Sequence, residues 1–195
     1  QITRPYFDLV IGNPPFGDQS LYDPDFPELR NYSIHNYFLS KSVKLLREGG
    51  ILAFVASRFF MDAADPAVRE QIAEHADLLG AIRLPETAFR QNALTDVTTD
   101  ILFFQKNSGE KARNRDWIQT VQIEAEDLKE GGNKPATINK YYAEHPGQII
   151  GRMTYSGGMF RDALNCVADP ALDLAKEISR RLDVLPSDQY LSLIH

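Results

Sequence analysis

The chain has 195 residues, 43% of them hydrophobic, and a net charge of −6, which fits one full domain or one and a half small ones and excludes collagen-like, coiled-coil and disordered compositions. That charge argues against a broad basic surface, so any grip on DNA must be local or come from other segments. No apolar run approaches the roughly 20 residues of a membrane span, Gln1-Ile2-Thr3-Arg4-Pro5 does not read as a signal peptide, and the single Cys166 suits a reducing cytoplasm, the expected location.

Taken in chain order, Tyr6 to Gly12 is apolar on both faces apart from Asp8, the pattern of a central strand in a mostly parallel sheet. It opens into Asn13-Pro14-Pro15-Phe16 and a polar loop from Gly17 to Tyr32. Ser33 is placed to cap a helix through Ile34, Tyr37, Phe38, Val43, Leu45 and Leu46, with Gly49-Gly50 as its stop. Ile51 to Ala56 is a second buried strand. Asp65 with Pro66 reads as a cap plus a proline at the first helical position, opening a helix to about His75. Leu78 to Leu84 is a third strand and Val97 to Gln105 a fourth, with Pro85 to Asn92 looping between them. This alternation predicts the α/β class. The charged run Glu110 to Asp116, with Lys111, Arg113 and Arg115, reads as a solvated stretch. Residues 1–107 are therefore expected to form one unit, 108–116 a polar linker, and 117–195 an accessory segment without an assigned role.

The strand opening into Asn13-Pro14-Pro15-Phe16 has a chemical logic. An exocyclic amine on a purine has its lone pair delocalised into the ring and is a poor nucleophile. Acceptors for its two N–H bonds, here the Asn13 side-chain oxygen and the Pro14 carbonyl, favour the tetrahedral amine and the positive charge that develops on it. Pro14 and Pro15 fix φ near −65° and push the residue before each out of the helical region, holding the turn open. Phe16 offers a flat face for a base, which inside a duplex must be flipped out to reach it. The plainer reading of Asn-Pro and Pro-Pro is turn punctuation that ends a strand.

Other groups carry less. His35, His75, His145 and His195 show no ligand spacing with one another or with Cys166, so no metal is expected. Ser57 and Ser156 lack a nucleophile-elbow context. Asp8 is expected to bond local backbone or to orient Asn13. Phe89, after Leu84-Pro85, reads equally as a lid over a flipped base and as plain core.

Four segments in this order, Phe7 to Phe16, Leu45 to Val55, Ile82-Arg83-Leu84-Pro85 with Phe89, and Thr99 to Phe104, resemble the second half of a DNA N6-adenine methyltransferase. The nearest likeness is to the methylase region of large plasmid- and phage-type methylase-helicase proteins and to modification subunits of restriction systems. It covers residues 6 to 106, and Ile138 to Pro146 with Gly151-Arg152-Met153 extends it into the following segment of those proteins. The resemblance implies a partial Rossmann-like methyltransferase fold, strands 4 to 7 of a seven-stranded sheet, with an extra C-terminal segment. It also implies Asn13, Pro14, Pro15 and Phe16 as catalytic, Phe16 and Phe89 at the substrate base, S-adenosylmethionine as cofactor, DNA as partner, and a fused or associated helicase or restriction subunit.

The glycine-rich loop and ribose-binding acid that such proteins carry before the Asn-Pro-Pro turn are absent from this sequence, leaving its cofactor-binding residues unassigned. The expectation is that the chain is a piece of a longer polypeptide and inactive alone. It also follows that the strand at residues 6–12 is an exposed edge, inviting self-association or cover by the C-terminal segment. Methylation of RNA adenine or protein glutamine, and a non-catalytic module binding nucleic acid or a partner, are the alternatives.

Overall fold

A computed structural model describes residues 5–15, 17, 19–89, 97–108, 114–156 and 163–186. Strand β1 (Phe7–Gly12) pairs in parallel with β2 (Leu46–Ser57), with Leu9 opposite Ile51 and Val10 opposite Leu52. Parallel neighbours need a crossover, and α1 (Ile34–Leu45) supplies it, burying Tyr37, Leu39 and Val43. After β2 come α2 (Arg58–Asp62), α3 (Ala67–Ala73), β3 (Ala76–Leu84) and β4 (Thr99–Lys106). The four strands lie in the order β1-β2-β4-β3, with β4 antiparallel to both of its neighbours. Strands β1, β2 and β3 therefore point the same way. Their carboxyl ends share one edge of the sheet, as expected of strands 4 to 7 of a Rossmann-like methyltransferase fold.

The expected elements differ from this at named points. Helix α1 stops at Leu45 rather than at the glycine pair, because Leu46 is already opposite Phe7 in the sheet. Gly49 and Gly50 instead absorb a register shift between Phe7 and Leu9. Gly49 sits at φ 75°, and a Cβ on Gly50 would come 2.8 Å from the Arg47 carbonyl oxygen and 3.0 Å from that of Phe7. Asp8 neither bonds local backbone nor reaches Asn13; its carboxylate pairs with Arg47 across this irregularity. Ser33 precedes α1 without a side-chain cap bond. Asp65 accepts from the Ala67 amide at 3.0 Å but lies one residue ahead of the cap, a position that Pro66 takes instead of the first helical one.

The rest of the described chain forms a second sheet from β5 (Thr120–Asp127), β6 (Asn133–Asn139), β7 (Arg152–Ser156) and β8 (Ala163–Val167), in the order β6-β5-β7-β8. Helices α4 (Lys140–Glu144) and α5 (Leu174–Leu182) accompany it. Leu52, Phe54, Met61 and Phe104 of the first sheet and α2 belong to one buried cluster with Trp117, Ile138, Tyr142 and Cys166. Trp117 meets Phe104 edge-on at 5.3 Å between ring centroids. On the opposite face of the first sheet, Ile82 and Leu84 pack with Ile150, and Leu174 and Ile178 of α5 lie against them. That cover ends before β1, where Leu9 is 53% and Ile11 75% exposed. Among the described residues β1 pairs with β2 alone, so its other side is an edge. No helix there is long and apolar enough to cross a membrane.

Candidate active site at the carboxyl edge of the first sheet

Asn13, Pro14 and Pro15 leave the carboxyl end of β1, the edge where ligands of open α/β sheets bind. Asn13 is exposed, Pro14 buried and Pro15 exposed. The last residue of β1 has to be glycine: a Cβ on Gly12 would stand 2.5 Å from Cε2 and 2.9 Å from Cδ2 of Phe54, which is itself buried directly opposite on β2. The ring of Phe54 thus fixes how deeply the turn is seated. Phe16 lies outside the described residues.

The loop behind the turn is held by a small polar cluster. Asp23 is buried and accepts from the Tyr37 hydroxyl at 2.5 Å and from the Lys41 ammonium at 2.6 Å, both on α1. The ammonium also lies 5.0 Å from the centroid of Phe26. The Lys41 and then the Tyr37 hydrogen bonds hold the Asp23 carboxyl at about 2, below its ordinary 3.8.

Phe89 follows the strand at the far end of the sheet from β1. That strand, β3, lies three strand positions from β1, a lateral separation of about 14 Å at normal strand spacing. There Phe89 is half-buried against Ile82, Leu84 and Ile150.

Nearer to the turn is a group that sequence reading missed. The carboxyl end of β2, next to β1, runs straight into α2, where Phe59 is 59% exposed and the Arg58 guanidinium lies 4.5 Å from its ring centroid. Arg58 is held by Asp62 one turn on, at 3.2 Å. Asp62 belongs to a buried network. Its oxygens take Arg83 at 2.9 and 3.0 Å and the Asn139 amide at 2.9 Å, while Arg83 also meets both oxygens of Asp100, at 2.8 and 3.0 Å. The Arg83 guanidinium sits 4.2 Å from the Tyr142 ring centroid. Burial works against its charge, but Asp100 and Asp62 more than offset this and hold Arg83 well above its ordinary value. Asn139 donates to the Met61 and Trp117 carbonyls, both at 2.7 Å, and accepts from the Tyr141 amide. These bonds lock α2 to both sheets. The available signal was a charged residue inside each of two apolar strands, Ala81-Ile82-Arg83-Leu84 and Thr99-Asp100-Ile101.

The described glycines with positive φ are Gly17, Gly49, Gly131, Gly132 and Gly151, and none lies in a short turn from a strand into a helix.

Comparison with known proteins gives the same reading of the front of the chain. Residues 3–89 match the model of the Eco57I restriction-modification methylase family. The chain is 24% identical over 169 residues to defense against restriction protein B of Escherichia phage P1, covering 86% of this chain and only 7% of that protein's length. Among solved structures, a modification subunit ascribed to a type I restriction enzyme of Vibrio vulnificus YJ016 aligns over 83% of this chain and 37% of its own, at 19% identity and a TM-score of 0.46. The M protein of the type I restriction enzyme EcoKI aligns over 97% and 49%, at 14% identity and a TM-score of 0.45. Residues 3–89, with the strand and its Asn-Pro-Pro turn, thus carry the Eco57I restriction-modification methylase pattern, and over this stretch the chain is methyltransferase-like, as the resemblance in its sequence implied.

Proposed function

We propose that the chain supplies the substrate-side wall of a DNA methyltransferase that modifies the N6 amine of a flipped-out adenine. The observation that carries this is the exposed Asn13 beside buried Pro14, on a turn seated by Phe54 at the carboxyl edge of the sheet, within the residues that match the methylase family. The amine donates one N–H to the Asn13 side-chain oxygen and the other to the Pro14 carbonyl. Both bonds strengthen as the nitrogen becomes tetrahedral and gains charge, so they lower the barrier more than they aid ground-state binding. Phe16 stacks on the extruded base. S-adenosylmethionine supplies the methyl group, bound by residues other than those of this chain, which alone is inactive. Phe89, in the loop after β3, closes over the same base. Residues 117–195 act as an accessory unit, and a restriction or helicase partner completes the assembly.

The test is methyl transfer from labelled S-adenosylmethionine by the full-length protein, offered DNA, RNA and protein acceptors in parallel. Label in N6-methyladenine of DNA is the expected result, and Asn13→Ala lowers turnover by roughly 10²-fold or more while cofactor affinity holds. Label in RNA or in protein glutamine instead would reassign the acceptor. Unchanged turnover in Asn13→Ala would reduce Asn13 to a turn residue.

A further inference from the structure

The geometry points to a second base-binding element that the methyltransferase pattern does not assign: we propose that Phe59, backed by Arg58, is a stacking platform for a nucleobase of the strand that carries the target adenine. The inference rests on the methyltransferase reading above. Strand β2 ends at Ser57 and α2 begins at Arg58, so Phe59 leaves the sheet at the carboxyl edge from the strand adjoining β1. The line of β2 lies one strand spacing, about 4.8 Å, from that of β1, and β2 continues three residues, about 10 Å, past Phe54, the partner of Gly12, before α2 begins.

An aromatic ring 59% exposed at such a position has no packing reason to be there, since the same helix buries Phe60 and Met61 in the core. Arg58 covers one face of the ring, with its guanidinium carbon 4.5 Å from the centroid, and leaves the other to solvent. The arginine behind the ring is itself held in place. Arg58 is anchored on Asp62, Asp62 on buried Arg83 and on the Asn139 amide, and the Arg58 amide donates to the Thr98 carbonyl at 3.0 Å. A flat face backed by a cation suits a base of any identity, because every base presents a π-face. When an adenine is extruded toward Asn13, its neighbour in the strand loses a stacking partner. Phe59 replaces that partner.

The experiment uses the full-length protein and a DNA substrate that it methylates, comparing Phe59→Ala, Phe59→Leu and Phe59→Tyr for kcat, for KM toward DNA, and for binding to an oligonucleotide bearing fluorescent 2-aminopurine. Thermal melting checks that each variant is folded. Phe59→Ala raises KM and weakens oligonucleotide binding by roughly 5- to 100-fold with kcat little changed. Phe59→Tyr restores both, and Phe59→Leu, which keeps apolar bulk without the ring, does not. Binding unchanged in Phe59→Ala, or restored by Phe59→Leu, overturns the platform while methylation continues. Absence of methyl transfer by the unsubstituted protein overturns the reading beneath it as well.

Discussion

Gly12→Ala tests the link between packing and chemistry directly. The new Cβ would stand 2.5 Å from Cε2 of Phe54, whereas carbon atoms in contact sit about 3.5–4.0 Å apart, so something must move by roughly 1 Å. Phe54 is buried in the main core and has little room to yield. Strand β1 is the softer partner, since among the described residues it is paired on one side only. Overpacking of this kind costs about 1–3 kcal/mol of stability. The larger effect falls on turnover: Asn13 is the next residue, and a misplacement of about 1 Å can cost 10²-fold in rate. The measurements are urea unfolding and kcat of the full-length enzyme. Phe54→Leu, which removes the ring edge, should recover much of the rate lost in Gly12→Ala when the two are combined. Wild-type turnover in Gly12→Ala alone, or no recovery in the double variant, would refute the view that Phe54 seats the turn.

Three further outcomes follow from the geometry. Arg83→Met leaves Asp100 buried without its counter-charge and Asp62 with Arg58 alone and should destabilise the fold by about 3–5 kcal/mol in urea titration; a loss under about 1 kcal/mol would show that the network contributes little. The Asp23 carboxyl, at about 2 when folded against 3.8 ordinarily, adds stability that is full above pH 4 and lost as pH falls toward 2, so Asp23→Asn should flatten the acid limb of the urea midpoint between those values. An unchanged limb would place the acid sensitivity elsewhere. The 195-residue chain should self-associate through the side of β1 that is unpaired among the described residues, or cover it with its C-terminal segment; a monomer in light scattering with fast amide exchange along Leu9 to Ile11 would contradict both.

Strands were legible where a single periodicity ruled. The apolar run Ile51–Ala56 is largely buried, so local pattern and final environment agree, whereas Phe7–Ile11 forms the expected strand but leaves Leu9 and Ile11 exposed at an edge. The end of α1 was not legible, because Leu45 and Leu46 are both apolar and only the pairing of Leu46 with Phe7 decides which is strand. Helix α2 spans five residues, too few to show a period. The Asn13-Pro14-Pro15 turn could be read because its candidate residues are contiguous. Its support could not: Asp62, Arg83, Asp100 and Asn139 are 77 residues apart at the extremes, and their meeting is a product of tertiary packing alone.

The strand that lies between β2 and β3 is the last of the four to be made. During synthesis β2 is complete at Ser57 and must wait for Thr99 before its antiparallel partner emerges, a delay of several seconds at about 5–20 residues per second. In that interval β2 and β3, both apolar and pointing the same way, are free to zip together in the slot reserved for β4. Such a pairing would have to be undone before the sheet could close. The strand order therefore predicts a slow step in folding during synthesis, and a holdase acting as Ala76 to Leu84 leaves the ribosome should raise the yield of folded chain.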